Sequence, residues 1–211
     1  GITYYAGGVA GSVRTYTRMQ NCYNSGAVWS SHTAGGLAGE VAEGGSEIYS
    51  CYNTGEITGE RYAGGLVGAL FSTESSIDWC YTSGPVNLNQ SGLGLGALFG
   101  ILSQGSEGVL YALKRSDSLN RTLVGSSADF SATGKFVSEA ELQGDDVLNA
   151  LNSGGSCFIH DYLGFQNGYP ILSWQLTLED FKTGAISELQ TFVQEADYEP
   201  ENWAAVRKII E

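Results

Sequence analysis

Basic residues are scarce in this chain of 211 residues, which has 10 lysines and arginines against 23 aspartates and glutamates and a formal net charge of −13. This balance argues against binding to nucleic-acid backbones or to anionic membrane surfaces, because both need basic patches. No apolar run reaches about 18 residues, so the sequence predicts no membrane-spanning helix. Only three prolines accompany 30 glycines, and the glycines do not fall at every third position, which excludes collagen.

The motifs of common ligand sites are also missing. No two of the four cysteines are separated by about two to four residues, the spacing typical of zinc sites. The sequence has neither a D-x-D-x-D-G calcium loop nor a G-x-x-x-x-G-K-[ST] phosphate loop. We therefore expect no cofactor, no metal site and no catalytic residues.

The sequence does contain a repeat of about 29 residues. Each unit has a glycine pair and a cysteine that begins a CYN or CYT triplet, and the cysteines are spaced by 29 residues. The glycine pairs are Gly7-Gly8, Gly35-Gly36 and Gly64-Gly65, and the cysteines are Cys22, Cys51 and Cys80. A weaker fourth copy is predicted from Gly94-Leu95, which follows Gly65-Leu66 by 29 residues, and from Tyr111, one residue out of step.

The composition of the repeat favours strands over helices, because it is rich in glycine, β-branched and aromatic residues. Turn signals such as Asn-Ser-Gly and Asn-Thr-Gly separate its short strand-like pieces. A propeller blade needs about 40 residues or more. The sequence therefore predicts a mainly β fold: a right-handed parallel β-solenoid of three to four coils over residues 1–111, with one repeat per coil.

Stacked repeats place identical side chains in columns about 4.8 Å apart. We expect the cysteines and the leucines after the glycine pairs to form the core columns Cys22, Cys51, Cys80 and Leu37, Leu66, Leu95. Free thiols fit this arrangement best, with one disulfide or a metal as the alternatives. Asn24 and Asn53 are expected to bond along a corner, and Gly26, Gly55 and Gly84 to turn at positive φ.

The tyrosines after the cysteines are the best binding candidates. Strand alternation predicts that Tyr23, Tyr52 and Tyr81 point away from the core, where their rings could stack on a sugar or on a protein partner. The alternative is structural stacking, with a bulge at the preceding Asn21, Ser50 or Trp79 that turns the tyrosines inward or into a corner.

The segments AGGLAG and AGGLVG, each followed by a CYNTG-type segment, resemble the GLUG motif of large bacterial surface proteins, over residues 1–111. Some of those proteins are IgA-cleaving metallopeptidases, in which the motif lies outside the catalytic unit. The resemblance implies an extracellular or cell-surface location and an architectural role. Val9 replaces leucine in the first copy, and the fourth copy is looser.

Residues 112–175 are predicted to cap the solenoid. A capping box at Ser138–Glu141 begins a helix that Asn152–Gly155 ends, and strands follow at Cys157–Tyr162 and Tyr169–Trp174 around an Asn167-Gly168 turn. Residues 176–211 are expected to begin a helical module, with a second capping box at Thr177–Asp180. Because both ends interrupt a pattern, we interpret the chain as a fragment of a longer protein.

Other titratable residues are interpreted as structural. His32 and His160 lack a catalytic partner in the sequence, and Ser156-Cys157 with His160 forms no recognisable nucleophile motif. The acidic residues of the loop (Glu40, Glu43, Glu47) and of the helix (Glu139, Glu141, Asp145, Asp146) are expected to be solvated. The favoured function is a non-catalytic structural or adhesion module whose partner is a host glycan or a surface protein. The alternatives are a polysaccharide-binding or polysaccharide-degrading β-helix and a non-catalytic part of a surface protease.

Overall fold

The computed structural model describes residues 4–89, 92–103, 108–116, 122–126, 133–177, 179–180 and 182–183. The repeats wind into a parallel β-solenoid of about four turns with about 29 residues per turn, which confirms the predicted fold class.

The first three coils carry the same five short strands in the same order. The first coil has β1 (Tyr5–Gly7), β2 (Ala10–Arg14), β3 (Arg18–Gln20), β4 (Tyr23–Asn24) and β5 (Val28–Ser30). The second has β6 (Thr33–Gly35), β7 (Ala38–Ala42), β8 (Glu47–Tyr49), β9 (Tyr52–Asn53) and β10 (Ile57–Gly59). The third has β11 (Tyr62–Gly64), β12 (Val67–Leu70), β13 (Ser76–Asp78), β14 (Cys80–Thr82) and β15 (Val86–Leu88). The described part of the next turns has β16 (Gly94–Gly96), β17 (Phe99–Leu102), β18 (Leu110–Leu113), β19 (Val124–Ser126) and β20 (Lys135–Val137).

Strands at equal positions of successive coils pair in parallel. Their stacking builds five sheets, which are β1-β6-β11-β16, β2-β7-β12-β17-β19, β3-β8-β13, β4-β9-β14-β18-β20 and β5-β10-β15. Tyr52 pairs with Tyr23 on one side and with Tyr81 on the other. The 29-residue spacing of the sequence is thus the spacing of the pairing register.

The fourth coil differs from the prediction in its alignment. Gly96 pairs with Gly64, and the N–H of Leu66 donates to the carbonyl of Leu98 at 2.9 Å. The partner of Leu66 is therefore Leu98, which is fully buried, whereas Leu95 pairs with Ala63 and is only half-buried. The assignment of Leu95 to the leucine column is wrong, because the loop between Leu88 and Gly94 is three residues longer than its counterpart in the preceding coil.

Among the residues that the structure describes, the coils enclose a larger and a smaller apolar core. The larger core contains the cysteines, columns from the β2 and β3 sheets, and the leucines that lie between the β1 and β2 sheets. It includes Val13, Val41, Leu70, Leu102, Met19, Ile48, Ile77, Leu37, Leu66 and Leu98. A smaller core lies between the β1 and β5 sheets and contains Ala34, Ile57, Ala63 and Val86. Leu95 packs at the margin of the smaller core.

Glycines in the repeat allow close approach between backbones. A Cβ added to Gly36 would lie 2.0 Å from the carbonyl oxygen of Gly65, and one added to Gly55 would lie 2.0 Å from that of Gly26. Gly26, Gly55 and Gly84 do not adopt the positive φ predicted for them. For Gly55 and Gly84, the carbonyl of the preceding coil leaves no room for a side chain, which is a different requirement from a left-handed turn.

The capping segment has two short helices where the sequence predicted one. α1 spans Glu139–Leu142 and α2 spans Asp145–Leu151, and Leu142, Val147 and Leu151 are buried. The capping box is present: the N–H of Ser138 donates to Glu141 Oε2 at 2.7 Å, and the N–H of Glu141 donates to Ser138 Oγ at 3.3 Å. The break falls at Gly144, which is the N-cap of α2.

By compactness the chain divides into Gly1–Phe158 and Ile159–Glu211. Strand β21 (Phe158–Ile159) lies at this boundary, and the second unit has β22 (Ile171–Leu172) and a 3₁₀ turn at Ser173–Gln175. Asn167 and Gly168 have φ values of 58° and 80°, as a type I′ turn requires. At the predicted second capping box, the Thr177 N–H donates to Asp180 Oδ2 at 2.7 Å. The remaining predicted helical positions lie largely outside the described residues.

Candidate functional site

The three repeated positions of each CYN or CYT triplet and the residue before it have separate environments in the structure. The residue before each cysteine forms a corner between two sheets: Asn21, Ser50 and Trp79 adopt left-handed backbone conformations with φ of 53°, 51° and 49°. Left-handed φ is uncommon outside glycine, so the corner is a specific feature of each coil.

The cysteine after the corner points into the larger core. Cys51 and Cys80 are fully buried there, and Cys22 in the first coil is half-buried against it. All are free thiols. The pKa of Cys22 is raised well above its usual range by its hydrogen bond with Cys51 and by burial. Cys22 is therefore not a reactive thiol of low pKa.

The tyrosine column is stacked but covered. The rings of Tyr23 and Tyr52 lie 5.2 Å apart at 16°, and those of Tyr52 and Tyr81 lie 5.0 Å apart at 4°. These tyrosines are not part of the larger core, yet Tyr52 and Tyr81 have no exposed surface and Tyr23 is half-buried. The prediction of an exposed three-tyrosine platform is therefore wrong, and the alternative of structural stacking is confirmed.

The cover is a side chain from the capping segment. Phe158 contacts Tyr52 and Tyr81, with ring centroids 6.4 Å and 6.1 Å away. Asn152 holds this segment in place, because its Oδ1 accepts the N–H of Phe158 at 2.8 Å and its Nδ2 donates to the Phe158 carbonyl at 2.9 Å. The tyrosines therefore join the cap to the solenoid instead of facing a ligand.

The side chains of Asn24 and Asn53 form hydrogen bonds at the turn that follows each triplet. Each side chain binds the backbone of the glycine two residues later, and the Nδ2 of Asn53 also donates to Thr82 Oγ1 at 3.3 Å. Asn53 is fully buried. The column therefore stabilises the stack and has no free amide for recognition.

The loop acids expected to be solvated are placed differently. Glu40 lies on β7 with its side chain 3% exposed, and it accepts hydrogen bonds from Ser12 Oγ at 2.8 Å and from Arg14 Nη2 at 2.5 Å. Glu43 forms a longer ion pair with Arg14, at 3.4 Å. The expectation of solvation is wrong for Glu40, because Arg14 on the neighbouring strand compensates its buried charge.

One outward face of the solenoid is closed by its own contacts. Arg18 pairs with Glu47 at 2.8 Å and lies 5.8 Å over the ring of Tyr49. Tyr49 in turn donates its hydroxyl to Gln20 and meets the edge of Trp79 at 6.4 Å. The charged and aromatic side chains of this face therefore contact one another.

A second outward face has an arginine among aromatic rings, which we call the Arg61 patch: Tyr4, Tyr5, His32, Arg61 and Tyr62. The ring of His32 lies 5.6 Å from that of Tyr4, 6.2 Å from that of Tyr5 and 6.2 Å from that of Tyr62. Arg61 Nη1 is 2.8 Å from His32 Nε2, and its guanidinium lies 5.9 Å over the Tyr62 ring. The sequence did not predict this patch, because its members are not a repeated residue type.

The contacts of His32 determine its protonation. A guanidinium only donates, so His32 Nε2 must accept from Arg61. The ring proton then lies on Nδ1, which donates to Thr33 Oγ1 at 2.9 Å. Burial, followed by the charge of Arg61, lowers the pKa of His32, in the direction that favours a neutral ring. His32 thus positions Arg61 and has no free nitrogen for general-base chemistry.

The acids of the two short helices border a cleft of about 550 Å³. Glu141, Asp145 and Asp146 lie on one side of it, with Tyr111 and Lys135 also in its lining. Burial, together with the charge of Asp146, raises the pKa of Tyr111. In the second unit, the ring of His160 lies 5.6 Å from that of Tyr162.

Within the part of the chain that the structure describes, no three histidine, cysteine or carboxylate side chains lie close enough together to hold a metal ion. The described helices also include none with the length and apolar character to cross a membrane. Comparisons with protein-family models, with curated proteins and with solved structures found no match.

Proposed function

We propose that this chain is a non-catalytic module of a large bacterial surface protein, a GLUG-type solenoid that spaces or presents binding domains outside the cell. The proposal rests on the structural roles that the repeated side chains have in the solenoid. Its cysteines and leucines fill the core, its asparagines bond along a corner, and its tyrosines stack beneath the cap. Such a repeat serves extension, because each added coil lengthens the stack by about 4.8 Å.

The environments of the titratable residues support a non-catalytic role. Glu40 is neutralised by Arg14, and both ring nitrogens of His32 are engaged. A general base needs a free basic atom within reach of a substrate proton. These two groups are instead held by contacts within the solenoid.

The location is tested by protease shaving of intact cells of the bacterium that encodes the chain. We expect peptides of this chain to be released from intact cells before a cytoplasmic marker protein appears. Release only after lysis would contradict a surface location. Replacing the coils by a solenoid of the same length and unrelated sequence should preserve the presentation of the flanking domains if spacing is the function.

Polysaccharide binding is a second candidate, and the Arg61 patch favours it. Tyr4 is 58% exposed, and exposed aromatic rings bind the apolar faces of sugars. Incubating the chain with polysaccharides separates binding from degradation. We expect retention of the chain on a polysaccharide without an increase in reducing ends; such an increase would assign an enzymatic activity to the solenoid.

A further inference from the structure

The Arg61 patch spans successive coils at one position of the repeat. Tyr5, Thr33, Tyr62 and Gly94 are Cα partners, so the residues just before them form a second column of Tyr4, His32, Arg61 and Leu93. Tyr4 and Leu93, at the two ends of this column, are 58% and 54% exposed. The column thus presents an extended strip that contains an aromatic ring, a cation and an apolar side chain.

Arg61 differs from the two arginines of the first coil, Arg14 and Arg18, in how its charge is compensated. Arg14 is paired with Glu40 and Glu43, and Arg18 is paired with Glu47. Within the described residues, Arg61 instead makes its side-chain hydrogen bond to the neutral ring of His32. That bond uses one of the five N–H donors of the guanidinium, which stays charged. An exposed arginine that has no acidic partner among the described residues suits an anionic ligand.

The rigidity of Arg61 also suits recognition. His32 holds one end of the guanidinium, and the Tyr62 ring lies beneath it at 5.9 Å. An arginine held on an aromatic ring loses little side-chain entropy on binding, and its planar fork matches a carboxylate. The neighbouring Tyr4 ring supplies an apolar face for stacking.

We propose that the Arg61 patch binds a carboxylate-bearing sugar, with the carboxylate on Arg61 and the sugar ring against Tyr4. This inference rests on polysaccharide binding, the second candidate function, and names the ligand class for it. A single cation is too little for an anionic membrane or a nucleic acid, which need several. The combination of one cation with aromatic rings is the chemistry of an acidic sugar, whether a sialic acid or a uronic acid.

The test compares acidic probes with matched neutral ones by isothermal titration calorimetry. Sialyllactose is paired with lactose, and trigalacturonate is paired with galactotriose. We expect the chain to bind at least one acidic probe about tenfold or more tightly than its neutral partner, with affinity falling as salt is raised. The acidic probe that binds more tightly identifies the source of the sugar. Equal binding of both members of each pair, or no binding, would overturn the proposal.

Variants connect the binding to the patch. Arg61→Ala should weaken binding of the acidic probe about tenfold or more, and Tyr4→Ala should weaken binding of both members of a pair. Arg18→Ala and Tyr16→Ala are matched controls on other surfaces and should bind as the unaltered chain does. Unchanged binding by Arg61→Ala, with a native circular dichroism spectrum, would overturn the site. So would poly-glutamate binding as tightly as the sugar, which would indicate a protein partner.

The surface-shaving experiment keeps the two proposals separate. A chain that is released from intact cells and yet binds none of the sugars retains the spacing function and loses this inference. A chain that binds an acidic sugar and is released only after lysis loses the proposed surface location.

Discussion

Asn24 and Asn53 are joined across two coils by a hydrogen bond of 2.8 Å from the Nδ2 of Asn24 to the Oδ1 of Asn53. The same Oδ1 accepts the N–H of Gly55 at 3.2 Å, and the Nδ2 of Asn53 donates to the Gly55 carbonyl at 3.0 Å. One buried amide therefore holds together a turn and its neighbouring coil.

Asn53→Ala should destabilise the solenoid by about 2–4 kcal/mol, because it leaves buried donors and acceptors without partners. Urea unfolding monitored by circular dichroism measures the change. Asn89→Ala, at an exposed position, is the control and should shift the free energy of unfolding by about 0.5 kcal/mol or less. Equal effects of the two substitutions would show that the corner column contributes nothing specific.

Gly55→Ala and Gly26→Ala compare the same repeat position in two coils. A Cβ on Gly55 would lie 2.0 Å from the Gly26 carbonyl, whereas the nearest atom to a Cβ on Gly26 is 3.6 Å away. We expect Gly55→Ala to cost about 3 kcal/mol through overpacking and Gly26→Ala to cost about 1 kcal/mol or less. Thermal unfolding of both variants tests this difference. A tolerated Gly55→Ala would mean that the coils are not packed as closely as described.

Tyr52→Ala should cost about 3–5 kcal/mol, since it removes a buried ring that stacks between two tyrosines and against Phe158. Tyr16→Ala removes the same ring from a side chain that is 75% exposed and should cost about 0.5 kcal/mol or less. Phe158→Ala should expose the tyrosine column and increase quenching of its fluorescence by acrylamide. Quenching that is already complete in the unaltered chain would show that the tyrosines face solvent.

The cysteines should differ in their reactivity toward a thiol reagent under native conditions. Cys51 and Cys80 are fully buried, so we expect both to be protected until urea unfolds the chain. Cys157 is half-buried and lies outside the core, and it should be modified first. Peptide mass spectrometry after timed labelling gives the order. Rapid modification of Cys51 and Cys80 would show that these side chains face solvent and not the core.

Glu141 should titrate below its ordinary range. Hydrogen bonds from the backbone N–H and then the hydroxyl of Ser138 lower the pKa of its carboxyl. A lowered folded-state pKa stabilises α1 above the unfolded value of about 4.3, and this contribution is lost as the pH falls through the folded value. NMR titration of Glu141 measures the shift, and Ser138→Ala should reduce it, because the hydroxyl bond is lost while the backbone N–H remains. A Glu141 pKa at or above its ordinary value would exclude the capping box in solution.

The sequence alone was sufficient to predict the solenoid, because several columns of equal residues repeat at the interval of one coil. The spacing of 29 between Cys22, Cys51 and Cys80 is a direct record of coil length. The corner role of Asn24 and Asn53 also followed, since an amide is one of the few side chains that can bond to its own copy above and below.

Tertiary structure decided the features that depend on contacts outside the repeat. Leu98 replaced Leu95 in the core because pairing with the previous coil, and not sequence spacing, sets the register after a loop changes length. Tyr52 and Tyr81 were buried by Phe158, which lies more than 70 residues further along the chain and carries no repeat signal. The Arg61 patch likewise combines unlike residues from successive coils, which become neighbours only when the chain winds into the solenoid. A sequence repeat reveals positions with the same residue type, and the side chains of this patch differ from coil to coil.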